Sequence, residues 1–208
     1  MVGVKSSEYG CEGVGFKRRA TNTVLSPDEL KVIARTVLHC AWTLQCDPMI
    51  ADAKTCTSVA VILTMCTNLR MSELKQLRPS HLDDLAAERV INIRVKKKLT
   101  PEVIYANKPL LNKYITKIKQ YCTLHGGGFI LNYSAAYINM TFRKATGITT
   151  STVKLGIQAV RKLNTSILLQ ESSNPDAIRR FNRHKFYDTT AKYSDPYNAN
   201  EALNNLSG

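Results

Sequence analysis

The run Thr57–Cys66, TSVAVILTMC, constrains the fold more than any other stretch of the chain, because it contains no charged residue and no strongly polar side chain. A helix that is apolar on all sides has to be surrounded by protein. The run is also well short of the ~20 apolar residues that would span a bilayer. It therefore predicts a helix buried in the centre of a globular domain. With 208 residues, 44% of them hydrophobic, the chain can enclose one compact core. The expected organisation is a flexible basic arm over residues 1–25, a folded domain over 26–197 and a short tail over 198–208.

Helical periodicity dominates the domain. Ser26 as N-cap, Pro27 in the first turn and Glu29 three residues after the cap form a capping box. Leu30, Ile33, Ala34, Val37, Leu38 and Ala41 follow at helical spacing. After the buried run, Ser72 is read as the cap of a short helix bearing Glu73, Leu74 and Leu77 that stops before Pro79. The period then changes. Val90–Val95 and Val103–Tyr105 are β-favouring runs flanking a lysine-rich turn with Pro101, which reads as an antiparallel ribbon. Further helices are expected from Pro109 to Tyr121, from Ser134 to Ala145 with Gly147 as a stop, from Gly156 to Gln170, and from Asn174 and Pro175 through Phe181. The fold class is mainly α with a small antiparallel β-sheet.

A net charge of +13 and a pI near 9.6 surround such a domain with a field that attracts polyanions. Nucleic acid suits it better than an acidic membrane surface, since neither a signal peptide nor a membrane span is legible. The six cysteines fall at no CxxC or CxC spacing, and several lie inside apolar helical patterns, where a free thiol packs as a small hydrophobe. That usage points to a reducing, intracellular setting. His39, Cys40 and Cys46 have no fourth partner at zinc-module spacing, so no metal site is expected there.

Phosphoryl transfer asks a protein for a nucleophile, with positive charge and proton donors held around the phosphate oxygens. Arg70, directly after the buried helix and before a short capped one, sits where a rigid apolar scaffold can hold a guanidinium at a surface. Its planar fork suits two phosphate oxygens at once. The segment Leu63–Leu77, LTMCTNLRMSELKQL, resembles the TGLRxSEL box of the tyrosine recombinase family, which includes Cre-like and phage-integrase-like members. Gln158–Arg161 fits that family's H-x-x-R frame, Arg183 and His184 fit its Gly-His pair, and Thr189–Tyr193 fits its terminal turn. From Arg161 to His184 is 23 positions and from His184 to Tyr193 is nine, both common family spacings. VINIRVKKKL, residues 90–99, is similar to the family ribbon that holds a lysine against DNA, and it puts Lys97 at that position with Lys96 and Lys98 as alternatives.

The resemblance spans about residues 26–197 and implies the catalytic-domain fold of that family. It also implies cleavage and rejoining of double-stranded DNA for site-specific recombination or integration, without metal or cofactor, in a synaptic homotetramer that can be monomeric without DNA. Tyr193 would attack the scissile phosphate to give a 3′-phosphotyrosine and a free 5′-hydroxyl. Arg70 and Arg161 would neutralise the non-bridging oxygens, His184 would donate a hydrogen bond to one of them, and Lys97 would protonate the departing 5′-oxygen. Glu73 matches the acidic residue that supports the arginines. Lys96, Lys98 and the arm residues Lys17, Arg18 and Arg19 are expected to contact DNA backbone, where positive charge favours binding through counterion release. The setting would be the nucleus for a eukaryotic or viral origin and otherwise the cytoplasm, with a mobile-element or viral source favoured by divergence inside the catalytic boxes.

The match departs from the family at three places. Gln158 stands for histidine and cannot take up a proton near pH 7. Arg183 replaces a glycine, and Asn68 replaces another in a setting where left-handed dihedrals tolerate it. Taken singly, Arg70 could cap a helix end, Arg161 could form an ordinary salt bridge and His184 could be a surface histidine. Tyr193 is one of nine tyrosines, Lys96–Lys98 could be a solvated turn, and Lys17–Arg19 a solvated tail. It is their order and spacing that joins them. Two further readings stay open, a type IB topoisomerase, distinguished by efficient plasmid relaxation as a monomer, and a recombinase-fold DNA-binding protein for packaging or gene control.

Overall fold

The computed structural model describes residues 25–46, 49–91, 93–94, 104–147, 156–172 and 174–184. Eight helices order them: α1 (Pro27–Cys46), α2 (Ala53–Thr67), α3 (Met71–Leu74), α4 (Pro79–Ala86), α5 (Lys108–His125), α6 (Ala135–Thr146), α7 (Ile157–Glu171) and α8 (Pro175–Asn182).

Helix α2 forms the centre, against which α1, α5, α6 and α7 all pack. Every residue from Thr55 through Thr64 is buried, as the all-round apolar pattern requires. Its few hydroxyls are satisfied internally, Thr57, Thr64 and Thr67 each donating to the carbonyl four residues earlier at 2.7 Å. Asp52 accepts from the Thr55 N–H at 2.7 Å to start the helix, and Asn68 ends it in a left-handed conformation with φ 49°. The fully buried side chains around this axis include Ile33, Leu44, Leu63, Leu74, Tyr121 and Phe142. Leu63→Ala should therefore lower the unfolding free energy by about 2–5 kcal/mol, the range for opening a cavity in a close-packed core. Urea denaturation followed by circular dichroism measures the loss.

The α1 capping box is present, with the Ser26 N–H donating to Glu29 Oε2 at 2.9 Å and the Glu29 N–H to Ser26 Oγ at 3.2 Å. Four thiols, those of Cys40, Cys56, Cys66 and Cys122, lie in the core. Burial pushes Cys66 up to about 12, and Cys40 and Cys122 up to about 11, so these three remain protonated, apolar packing groups at neutral pH. Among the described residues no helix is long and apolar enough to cross a membrane.

Two expectations are corrected. Ser72 does not cap the short helix, because α3 begins at Met71 with Arg70 in the cap position and its N–H donates to Glu73 Oε2 at 2.8 Å. A glutamate reaching back has taken the place of a serine reaching forward. Leu77 then falls beyond α3, in the buried connection to α4.

The small antiparallel sheet is not there, and the fold is helical with no strand among the described residues. Ile91, Ile93 and Ile104 are buried, so the period-two alternation is real. It anchors irregular chain on the helical core. Instead of facing a partner strand, Arg94 gives its N–H to Gln76 Oε1 at 2.7 Å and its carbonyl accepts from Gln76 Nε2 at 3.0 Å. Alternation reports one buried face and does not specify what the backbone pairs with. The lysine turn, Lys96, Lys97 and Lys98, lies outside the described residues.

Candidate active site

Arg70, Arg161 and His184 come from separate parts of the chain and are brought to one place at the end of α2. Apolar α2 stops at Asn68, and Arg70 leads into α3 with its side chain 31% exposed. The Arg70 guanidinium is held from below by Glu73, whose Oε1 accepts from Nη1 at 3.0 Å. Glu73 is fully buried. A carboxylate in such a place is tolerable only when paired and hydrogen-bonded. Its second oxygen, Oε2, accepts from the Arg70 N–H at 2.8 Å and from Arg183 Nη2 at 3.2 Å.

Arg161 lies on the inner face of α7, buried, and its Nη2 donates to the Asn182 carbonyl at 2.5 Å. The start of α7 is set by a close approach, because the Ile157 N–H donates to Asn139 Oδ1 at 2.9 Å beside Gly156. A Cβ at residue 156 would come within 2.5 Å of that oxygen. Gln158 is exposed in the first turn of α7, one turn ahead of Arg161.

His184 follows the left-handed C-cap Arg183 of α8, and its N–H donates to the Arg179 carbonyl at 3.0 Å. Burial, followed by the guanidinium charges of Arg161, Arg70 and Arg183, holds the His184 imidazole down to about 4. The ring is thus neutral at pH 7. It can donate one hydrogen bond without adding charge to what are, among the described residues, three guanidinium groups and one carboxylate, a combination that attracts an anion with several oxygens.

Comparison with solved structures finds the crystal structure of XerA recombinase, with a TM-score of 0.54 and 18% sequence identity over 88% of this chain and 63% of that one. The fold is recombinase-like. This chain therefore spans less than two thirds of the length of that recombinase. No family model matches the chain, and neither does any curated protein.

Within the recombinase-like fold, Tyr193 and Lys97 lie outside the described residues, as do Lys96, Lys98, Lys17, Arg18 and Arg19. Sequence reading missed the polar layer beneath the arginines. Asn68 donates to Thr165 Oγ1 at 3.1 Å and also bonds the buried Asn182, while Asn164 Nδ2 donates to the Met65 carbonyl at 3.1 Å. A signal existed, since Lys162, Asn164, Thr165 and Ser166 interrupt a helix that is otherwise core. Buried polar residues of this kind persist when they are mutually satisfied.

The depressed histidine has a consequence for stability. His184 in the unfolded chain titrates near ~6.5 and in the folded chain near 4, so on acidification the unfolded state takes up the proton first. The stabilisation from a neutral His184 is complete above ~6.5 and is lost as the pH falls toward 4. Thermal melts should show the midpoint dropping across that window, and His184→Gln should flatten the drop. An unchanged slope in that variant would contradict the assignment.

Proposed function

We propose that this chain cleaves and rejoins double-stranded DNA through a 3′-phosphotyrosine intermediate, in site-specific recombination or integration. The observation that carries the reading is the gathering of Arg70, Arg161 and neutral His184, with buried Glu73 beneath Arg70, a set of groups that would suit a phosphodiester's non-bridging oxygens. The recombinase-like fold and the charge of +13 support DNA as the partner. In this reading the Tyr193 phenolic oxygen forms a bond to phosphorus as the bond to the 5′-oxygen breaks. The phenolic proton passes to water, and the leaving oxygen takes its proton from Lys97. Because the phosphodiester is exchanged for a tyrosyl phosphodiester, an incoming 5′-hydroxyl can reverse the step without a nucleotide cofactor. Two duplexes would be joined by a synaptic tetramer of this chain.

The test is a duplex nicked close to the cleavage site, from which the short 5′-hydroxyl fragment escapes and strands the adduct. A denaturant-stable protein–DNA species ending in a 3′-phosphotyrosyl bond is expected. A second reading keeps the fold and the DNA and drops the chemistry, and exposed Gln158, which cannot accept a proton, favours it. Tight DNA binding with no adduct on any nicked substrate would establish that reading. Efficient relaxation of supercoiled plasmid by the monomer would instead identify a topoisomerase.

A further inference from the structure

Arg183 stands in a place that suits it poorly. It is the C-cap of α8, with φ 55° and ψ 41°, where a side chain is disfavoured and glycine is the ordinary solution. Its own side chain is only 5% exposed. Burying a guanidinium beside two other arginines adds repulsion and desolvation to the backbone penalty. What offsets these penalties is a set of bonds to separate segments.

Nη2 donates to the Asn68 carbonyl at 2.8 Å and to Glu73 Oε2 at 3.2 Å, and Nη1 donates to the Phe181 carbonyl at 3.2 Å and the Thr67 carbonyl at 3.4 Å. Thr67 and Asn68 end α2, so the guanidinium caps carbonyls that have no partner within their helix and sits at the negative end of its dipole. One planar fork thereby joins the end of α2, the start of α3 and the end of α8. Lysine, a single point charge, cannot reproduce that geometry.

We propose that Arg183 is a positioning residue, clamping the end of α8 to the end of α2 and sharing Glu73 with Arg70, so that the His184 ring and the Arg70 guanidinium are held on one phosphate-binding face. Glu73 is the coupling element, since one oxygen serves the Arg70 side chain and the other serves the Arg70 backbone and Arg183. Among the described residues, the charged groups acting on His184 are Arg161 of α7, Arg70 at the cap of α3 and Arg183 itself, with Glu73 between the last two. Arg183 acts through these groups and not on DNA. Its activity consequence rests on the strand-transfer reading above, whereas its effect on His184 does not.

The experiment compares the full chain with Arg183→Gly and Arg183→Lys. Arg183→Gly relieves the left-handed backbone while removing the clamp. Its His184 ring, followed by NMR, should titrate above the parental value but still below the ordinary range, because burial, Arg161 and Arg70 remain and only the smallest of the neighbouring charges is lost. Cleavage of the nicked duplex at saturating DNA should fall about 10–100-fold, as expected for displaced catalytic groups. The Kd for DNA should not change. Arg183→Lys retains the charge without the fork, so its His184 midpoint should stay low while cleavage remains below parental.

An Arg183→Gly protein with parental amide exchange at Arg70 and His184 overturns the proposal, whether or not the parent forms an adduct. So does a loss of thermal stability alone with cleavage intact, which would make Arg183 only a helix cap, and so does a weakened Kd with cleavage intact at saturation, which would make it a DNA contact. Should Arg183→Gly fail to fold, Arg183→Lys decides: parental cleavage there would show that charge suffices and the fork does not matter. If the parent forms no adduct, the strand-transfer reading fails and the clamp is judged by amide exchange at Arg70 and His184 in Arg183→Lys, where faster exchange supports it and parental exchange overturns it.

Discussion

Replacing Tyr193 by phenylalanine is expected to abolish the covalent protein–DNA adduct while leaving DNA binding intact. The exchange removes one oxygen atom. That oxygen is the group proposed to bond phosphorus, and without a nucleophile none of the remaining residues can make the intermediate. Removing the nucleophile of a covalent catalyst lowers the rate by about 10⁴-fold or more, which puts the adduct below detection on a denaturing gel. Phosphate affinity comes from arginine and lysine charge, so a gel-shift measurement with the same duplex should give the parental Kd. Adduct formation by Tyr193→Phe at the parental rate would move the chemistry to another residue and remove the central assignment.

Arg161→Met should come second in size. The substitution keeps an unbranched chain in the buried face of α7 and deletes the charge proposed to meet phosphate oxygens. Loss of one such preorganised donor lowers the rate of the chemical step by about 10²–10³-fold. Arg161 is also the largest of the charges depressing His184, so the imidazole should titrate at a higher pH in the variant. There is a structural cost as well, because Arg161 donates to the Asn182 carbonyl, and leaving that buried acceptor unmet costs about 1–3 kcal/mol. Single-turnover cleavage measured well below the variant's melting temperature separates the two effects. A variant that cleaves as fast as the parent would leave Arg161 a structural residue, with its hydrogen bond to α8 as its whole purpose.

Helix positions were legible because the signals are local. The capping box at Ser26 and Glu29, the helix start at Ser134 and the stop at Gly147 each depend on residues within a turn or two, and each appears in the structure. The left-handed Asn68 is in the same category, since a residue standing for glycine before Arg70 implies that backbone conformation. The short helix after Arg70 was misread because serine and glutamate both signal a helix start and only packing selects between them. The ribbon failed for a related reason. Ile91, Ile93 and Ile104 supply the alternating burial of a strand, while the bonding partner of Arg94 proved to be the Gln76 side chain, far away in sequence.

By itself, then, the sequence determined which residues had to be inside and where most helices begin and stop. Those properties follow from periodicity, cap chemistry and spacing, all carried by neighbouring residues. Tertiary structure alone decided that Arg70, Arg161 and His184 share one end of α2, that Glu73 is divided between two arginines, and that His184 is neutral at pH 7. It also gave Arg183 four acceptors among the described residues. A guanidinium's partners, and the protonation state of a ring among guanidiniums, depend on distances through space and on exclusion of water, and neither exists until α2, α7 and α8 have packed.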